Sequence, residues 1–140
     1  MSEAGLVTSL IPFLMFCGDQ HGRAEEAMGL YCSIFDDSRI VAIDRYGPGD
    51  SETEGTVRSA EFQIGGHTIR AIDSAFPHEF TFTPAISLWV DCVSRAELQR
   101  LAAALAEGGA MLMPVGAYGF SDLFCWVADR FGVTWQLNLP

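Results

Sequence analysis

Apolar and polar positions along this chain change period in a fixed order, and the order occurs twice. Ile11 to Cys17 is an apolar run of strand length. Gly18-Asp19 reads as a turn. From Gly22 to Phe35 the apolar residues Ala24, Ala27, Met28, Tyr31, Ile34 and Phe35 recur at steps of three and four, which predicts an amphipathic helix. Arg39 to Tyr46 reads as a strand. Val57 to Ile64 alternates, with Ala60, Phe62 and Ile64 on one face and Ser59, Glu61 and Gln63 on the other. Gly65-Gly66 is a hairpin signal, and His67 to Asp73 is the return strand. The second pass begins at Ala85 to Asp91, where Ile86, Leu88 and Val90 alternate with Ala85, Ser87 and Trp89. Ser94 with Glu97 forms a capping box for a helix running to about Glu107, and Gly108-Gly109 stops it. Ala110 to Val115 is strand-like. Phe120 to Ala128 and Val133 to Leu139 form a closing hairpin.

Each half therefore reads strand, helix, three strands. The prediction is an α+β fold of two tandem βαβββ modules with mostly antiparallel, curved sheets. Residues 1–10 are expected to be a tail, and residues 11–140 one domain. Module one spans 11–74, module two spans 84–139, and a loop at 75–83 joins them. A second loose stretch, Gly47 to Gly55, is polar and Gly-rich. Helices on one face of each sheet leave a more polar face, and two such sheets side by side would enclose a cleft lined by it.

Composition narrows the function classes. The 140 residues are 49% hydrophobic, enough for a sizeable core. All basic residues are Arg, eight against 18 acids, giving a formal charge of −10. Nucleic acid and anionic membranes are excluded as partners, because both need a basic patch. No apolar run has the length of a membrane span, and Glu3 stands where a signal peptide would be basic, so a cytoplasmic protein is expected. Cys17, Cys32, Cys92 and Cys125 form no C-x-x-C pair and sit among apolar neighbours, the pattern of free packed thiols. His21, His67 and His78 share no metal-ligand spacing and fall at turns and loops; a functional role for His78-Glu79 would be a base beside the cleft. Phe76, Phe80 and Phe82 would then be either a lid or packing between the modules. Gly18 to Gly22 lacks the further glycines and basic residue of a phosphate loop. There is no G-x-S-x-G element.

Several segments carry a family resemblance. They are Pro12 to Phe16, Ala24 to Met28, Tyr31, Ser33 to Phe35, Asp37 to Ile40, Arg45-Tyr46-Gly47, Glu61-Phe62, Phe80 to Leu88 and Trp126 to Gln136. In this order they resemble the PhnB-like branch of the vicinal oxygen chelate superfamily, which includes glyoxalase I, bleomycin-resistance proteins and extradiol dioxygenases. That branch often bears the label of a demethylubiquinone methyltransferase domain. The label would require a site for S-adenosylmethionine, and neither a doubly wound sheet nor its Gly-rich loop is predicted. Two departures border the expected cleft: the short insertion Gln20 to Arg23, and a short, apolar Met111 to Tyr118.

The resemblance implies places for a metal centre on the first and last strands of each half. Those places hold Pro12, Arg70 or Ala71, Ala85 and Gln136. None is an ordinary divalent-metal ligand, so no metal site and no cofactor is expected, with a divalent metal the disfavoured alternative. The expected ligand-binding cleft is formed by Ser59, Glu61, Arg70, Ser87, Trp89, Trp126 and Gln136. In it Arg70 would hold an anionic or oxygen-rich group or pair with Glu61, the two indoles would stack, and Gln136 would orient the ligand. The expected function is binding of a small organic molecule without metal. The alternative is a lyase, isomerase or dioxygenase using a metal or Glu61 as its catalytic base. The resemblance and an open sheet edge both imply a homodimer.

Overall fold

A computed structural model describes residues 5–140 and resolves the two passes into two four-stranded sheets. Module one contains β1 (Phe13–Phe16), α1 (Ala24–Ile34), β2 (Arg39–Arg45), β3 (Val57–Ile64) and β4 (His67–Asp73). Module two contains β5 (Ser87–Asp91), α2 (Arg95–Ala106), β6 (Ala110–Tyr118), β7 (Ser121–Ala128) and β8 (Thr134–Asn138). The strand orders, β1-β4-β3-β2 and β5-β8-β7-β6, are the same order written twice. In each sheet the first strand runs parallel to the last, and the other pairs are antiparallel. The α+β class and the tandem βαβββ organisation are as the periodicity predicts.

Element ends follow local chemistry. Gly65 and Gly66 both take positive φ, 55° and 82°, as a tight β3–β4 turn requires. Ser94 caps α2: its Oγ accepts the Glu97 N–H at 3.1 Å, while Glu97 Oε1 accepts the Val93 N–H at 2.9 Å. The start of α1 is capped from outside the helix. Asp73, at the end of β4, accepts the N–H groups of Gly22 and Ala24 on Oδ1 and that of Val57 on Oδ2. One buried carboxylate thus joins the helix start to two strands of its own module.

Four boundaries differ from the sequence pattern by two residues or more. The first strand begins at Phe13, because Pro12 has no N–H to give; its carbonyl instead accepts the Arg70 N–H. Helix α1 begins at Ala24, since Gly22 has φ 87°. Strand β5 begins at Ser87, after a turn in which Thr83 Oγ1 accepts the Ala85 N–H; Ile86 is 76% exposed and does not join Leu88 and Val90. Strand β6 continues to Tyr118, through Pro114, because it is an edge strand whose register shifts leave that proline unpaired. Of the expected tail, residues 5–10 are exposed and outside regular elements, and residues 1–4 lie outside the described residues.

The helix-facing sides of both sheets share one core. Tyr31 of α1 lies edge-on to Trp135 of β8 at 5.0 Å and near Phe62 of β3 at 6.1 Å, while Phe35 meets Trp135 at 5.2 Å. Asp129, in the β7–β8 turn, fixes this junction. Its Oδ2 accepts the Tyr31 hydroxyl at 2.6 Å and the Trp135 indole N–H at 3.0 Å, and its Oδ1 accepts the N–H groups of Phe131 and Val133. Burial, then the neighbouring Asp129 carboxylate, pushes the Tyr31 phenol well above its ordinary pKa, so the hydroxyl stays a donor.

Candidate functional site

The sheet sides turned away from the helices carry all seven residues that the sequence selects, in two groups. On module one, Glu61 and Arg70 face each other in the β3–β4 register. Their expected ion pair is not formed. The Arg70 guanidinium donates to Ser59 Oγ at 3.0 Å, and Glu61 makes no side-chain hydrogen bond or ion pair among the described residues. Both side chains are half-buried. Phe13, 55% exposed, adjoins Arg70 on β1.

On module two, Trp89, Gln136 and Trp126 lie in one row across β5, β8 and β7. Gln136 Nε2 donates to Ser87 Oγ at 2.7 Å, which fixes the amide and leaves its oxygen without a donor among the described residues. Trp89 is 51% exposed, and its indole N–H is held by Asp91 Oδ1 at 2.9 Å. Asn138 donates to the same Asp91 oxygen. These two hydrogen bonds, first from Asn138 and then from Trp89, hold the Asp91 carboxyl below its usual pKa. The Trp126 indole N–H is out of solvent and has no acceptor among the described residues. An unmade hydrogen bond of this kind costs about 1–3 kcal/mol.

Sequence reasoning missed the aromatic extent of this face. Phe124 is buried on the outer side of β7 beneath three other rings: Trp89 at 5.6 Å, Phe120 at 4.9 Å and Tyr118 at 5.7 Å. Phe120 is itself 64% exposed. The available signal was the aromatic pair Tyr118 and Phe120, separated by Gly119 at the β6–β7 turn. Exposed aromatic surface beside fixed polar groups is the mark of a recognition face.

A sizeable cavity lies elsewhere. A groove of about 980 Å³ runs along the seam between the modules and touches only Trp89 of the seven residues. A second, smaller cavity of about 160 Å³ touches only Ser87 of the seven. Within one chain, therefore, the two outer groups are not gathered around a single cavity among those found.

The other sequence candidates take structural places. Phe82 packs edge-on against Phe16 at 5.0 Å, so it joins the modules; Phe76 and Phe80 are exposed, with the His78 ring between them at 5.3 and 5.1 Å. His78 contacts Ser74 Oγ at 3.3 Å, and His21 lies 3.8 Å from Glu52. All four cysteines are free; Cys17, Cys92 and Cys125 are buried and Cys32 is half-buried. Burial raises the Cys17 and Cys32 thiols, and it pushes Cys92 and Cys125 up to about 11.

The places implied for a metal do not fit one. Pro12 and Ala85 offer no side-chain donor, Arg70 is a cation, and Gln136 offers a single neutral amide oxygen, short of the three protein ligands a divalent site needs. Among the described residues, no three His, Cys, Asp or Glu side chains group together. Nor is any helix there long and apolar enough to cross a membrane.

Comparison with known proteins places this geometry in a family. Residues 8–138 match the family described as 3-demethylubiquinone-9 3-methyltransferase. A PhnB protein from Bacillus cereus carrying that same description is 47% identical, with 95% of this chain and 100% of that one covered and a TM-score of 0.89. A Pseudomonas aeruginosa protein is 27% identical over 95% of this chain and 98% of its own, with a TM-score of 0.80. A glyoxylase/bleomycin resistance protein/dioxygenase domain from Frankia shares the fold at 19% identity, covering 96% and 98% of the two chains with a TM-score of 0.63. No curated protein matches the chain. The methyltransferase description is a family name, and the two small mixed sheets are not the doubly wound parallel sheet of a nucleotide-cofactor fold. The chain belongs to the 3-demethylubiquinone-9 3-methyltransferase family, and it shares its fold with a glyoxylase/bleomycin resistance protein/dioxygenase domain.

Proposed function

We propose that this protein binds a small, flat, oxygen-bearing organic molecule on the outer sheet faces, chiefly that of module two, and does so without a protein-held metal. The observation that carries this is the row Trp89, Gln136 and Trp126 with Ser87: aromatic surface beside an amide whose orientation is already fixed. A flat ligand gains stacking area on Trp89 and Phe120, and a hydroxyl or N–H of the ligand meets the free Gln136 oxygen. Arg70, already oriented by Ser59, supplies a cation for a carboxylate or phenolate when a second copy brings a module-one face opposite a module-two face. The protein is then a cytoplasmic homodimer. Its free thiols and the partly exposed apolar residues Ile40, Val41 and Leu112 on edge strands β2 and β6 support that state.

The test is a calorimetric screen of aromatic acids, phenols and quinones on chelator-free protein, with metal content measured in parallel. Binding that Gln136→Leu weakens about tenfold, with far less than one metal per chain, is the expected result. Binding that vanishes with EDTA contradicts the metal-free site. Sedimentation is expected to give twice the 15.2 kDa of one chain.

A further inference from the structure

The seam groove has a chemistry different from that of the outer faces. It lies between two strands that each lack a neighbour on the facing side, β1 with its leading segment Ser9–Pro12 and β5. Its floor is apolar: Phe35, Ile69, Leu101 and Trp135 are all buried and all line it. Its mouth is acidic, with Asp36, Asp91 and Glu97 on the lining and no arginine among the described lining residues. His67 is the one imidazole there. At about 980 Å³ the groove has the size of a small-molecule site.

Two of these groups are preorganised for positive charge. Asp91 Oδ1 is held by Trp89 and Asn138, which fixes the carboxylate and leaves Oδ2 without a donor among the described residues. The same bond ties down the Trp89 indole, whose exposed face also lines the groove. A carboxylate and an indole face held side by side attract a cation by charge and by the ring quadrupole together. The floor, meanwhile, rewards an apolar body.

We propose that the seam between the modules is a second ligand site, for an apolar organic cation such as a quaternary ammonium or phosphonium with aromatic or alkyl groups. The cationic centre lies at the mouth against Asp91 and Trp89, and the apolar groups reach toward Leu101 and Trp135. This site meets the outer-face site at Trp89 but lies on the other side of it, away from Gln136, which orients the oxygen-bearing ligand of the outer face.

Tetraphenylphosphonium and tetraphenylborate, equal in shape and opposite in charge, test it by calorimetry on the full chain. Saturable binding of the phosphonium at one per chain is expected, with the borate at least about tenfold weaker. Asp91→Asn is expected to weaken the phosphonium about tenfold. Val93→Arg changes a residue that is 86% exposed on the lining, so it tests the mouth without touching the core, and it is expected to do the same. Gln136→Leu, on the outer face, and Asp122→Asn, an acid outside the groove, are expected to leave binding unchanged. Equal affinity for the two ions overturns the proposal. So does unchanged binding in both Asp91→Asn and Val93→Arg, or a loss in Asp122→Asn as large as in Asp91→Asn, which would mean attraction to the net charge alone. A loss confined to Gln136→Leu would move the cation to the outer face, contradicting a second site while leaving the first one occupied.

Discussion

The two modules share a topology and differ in what they do with it. On the outer sheet side, module one presents Ser59, Glu61, Gln63, Thr68 and Arg70, a polar and charged surface. Module two presents Trp89, Phe124, Trp126 and Gln136, an aromatic surface with one fixed amide. On the inner side, each module has one buried carboxylate, and their reach differs. Asp73 bonds only to its own module, at Gly22, Ala24 and Val57. Asp129 bonds to its own turn and strand but also to Tyr31 of the other module. A repeated fold thus keeps its strand order while one copy carries the proposed recognition surface and the anchor of the junction.

The largest break in this comparison is expected at Asp129. Asp129→Ala strands the Tyr31 hydroxyl, the Trp135 N–H and two backbone N–H groups, and is expected to cost about 3–5 kcal/mol by urea unfolding. Both modules should lose structure together, in one transition. Asp73→Ala is expected to cost less, and its first signs in hydrogen exchange should be confined to α1 and the start of β3. Equal and global effects from both would erase the distinction between a local and a shared anchor.

Gly109 sharpens the same point for module two. A Cβ there would stand 2.0 Å from the Ala128 carbonyl oxygen, so the β6–β7 pair has no room for a side chain. Gly109→Ala is expected to lower stability by about 1–3 kcal/mol, read from the urea midpoint.

High pH probes the two module-two cysteines next. A thiol whose folded pKa stands above its unfolded value contributes stability that is present below the unfolded pKa and is lost as pH rises to the folded one. Cys92 and Cys125 move from 9.0 to about 11 through burial, so stability is expected to fall between pH 9 and 11. The two changes together are on the order of a few kcal/mol. At pH 8 a thiol reagent is expected to label half-buried Cys32 first and leave Cys92 and Cys125 silent.

The smallest effect belongs to the charged surface of module one. Arg58 pairs with Asp44 at 2.9 Å, but both side chains are about half exposed. Arg58→Ala is expected to shift the urea midpoint only slightly, with the difference shrinking in high salt.

The repeat was legible because burial on one sheet side leaves a period of two and burial on one helix side a period of 3.6; Phe62 and Ile64, then Leu98 and Leu101, show it directly. The Ser94 cap was legible because its signal is local. What was hidden depends on contacts across the chain. Asp73 and Asp129 look like ordinary acids near turns until Gly22 and Tyr31 arrive from 51 and 98 residues away. Of the two roles left open for Arg70, pairing with Glu61 is not formed: strand register puts Glu61 opposite it, but the guanidinium reaches Ser59. The seam groove could not be read at all, since Phe35 and Trp135 meet only when the modules pack.

The central claim, that the outer face of module two is the recognition surface, has a direct test in the indole N–H resonances of Trp89, Trp126 and Trp135. On titration with an aromatic acid or phenol found in the calorimetric screen, the Trp89 and Trp126 signals are expected to shift together and saturate. Trp135, donating to Asp129 in the core, should stay fixed. A saturable shift of Trp135 alone, or binding that moves only the Arg70 and Glu61 backbone signals of module one, would contradict the account.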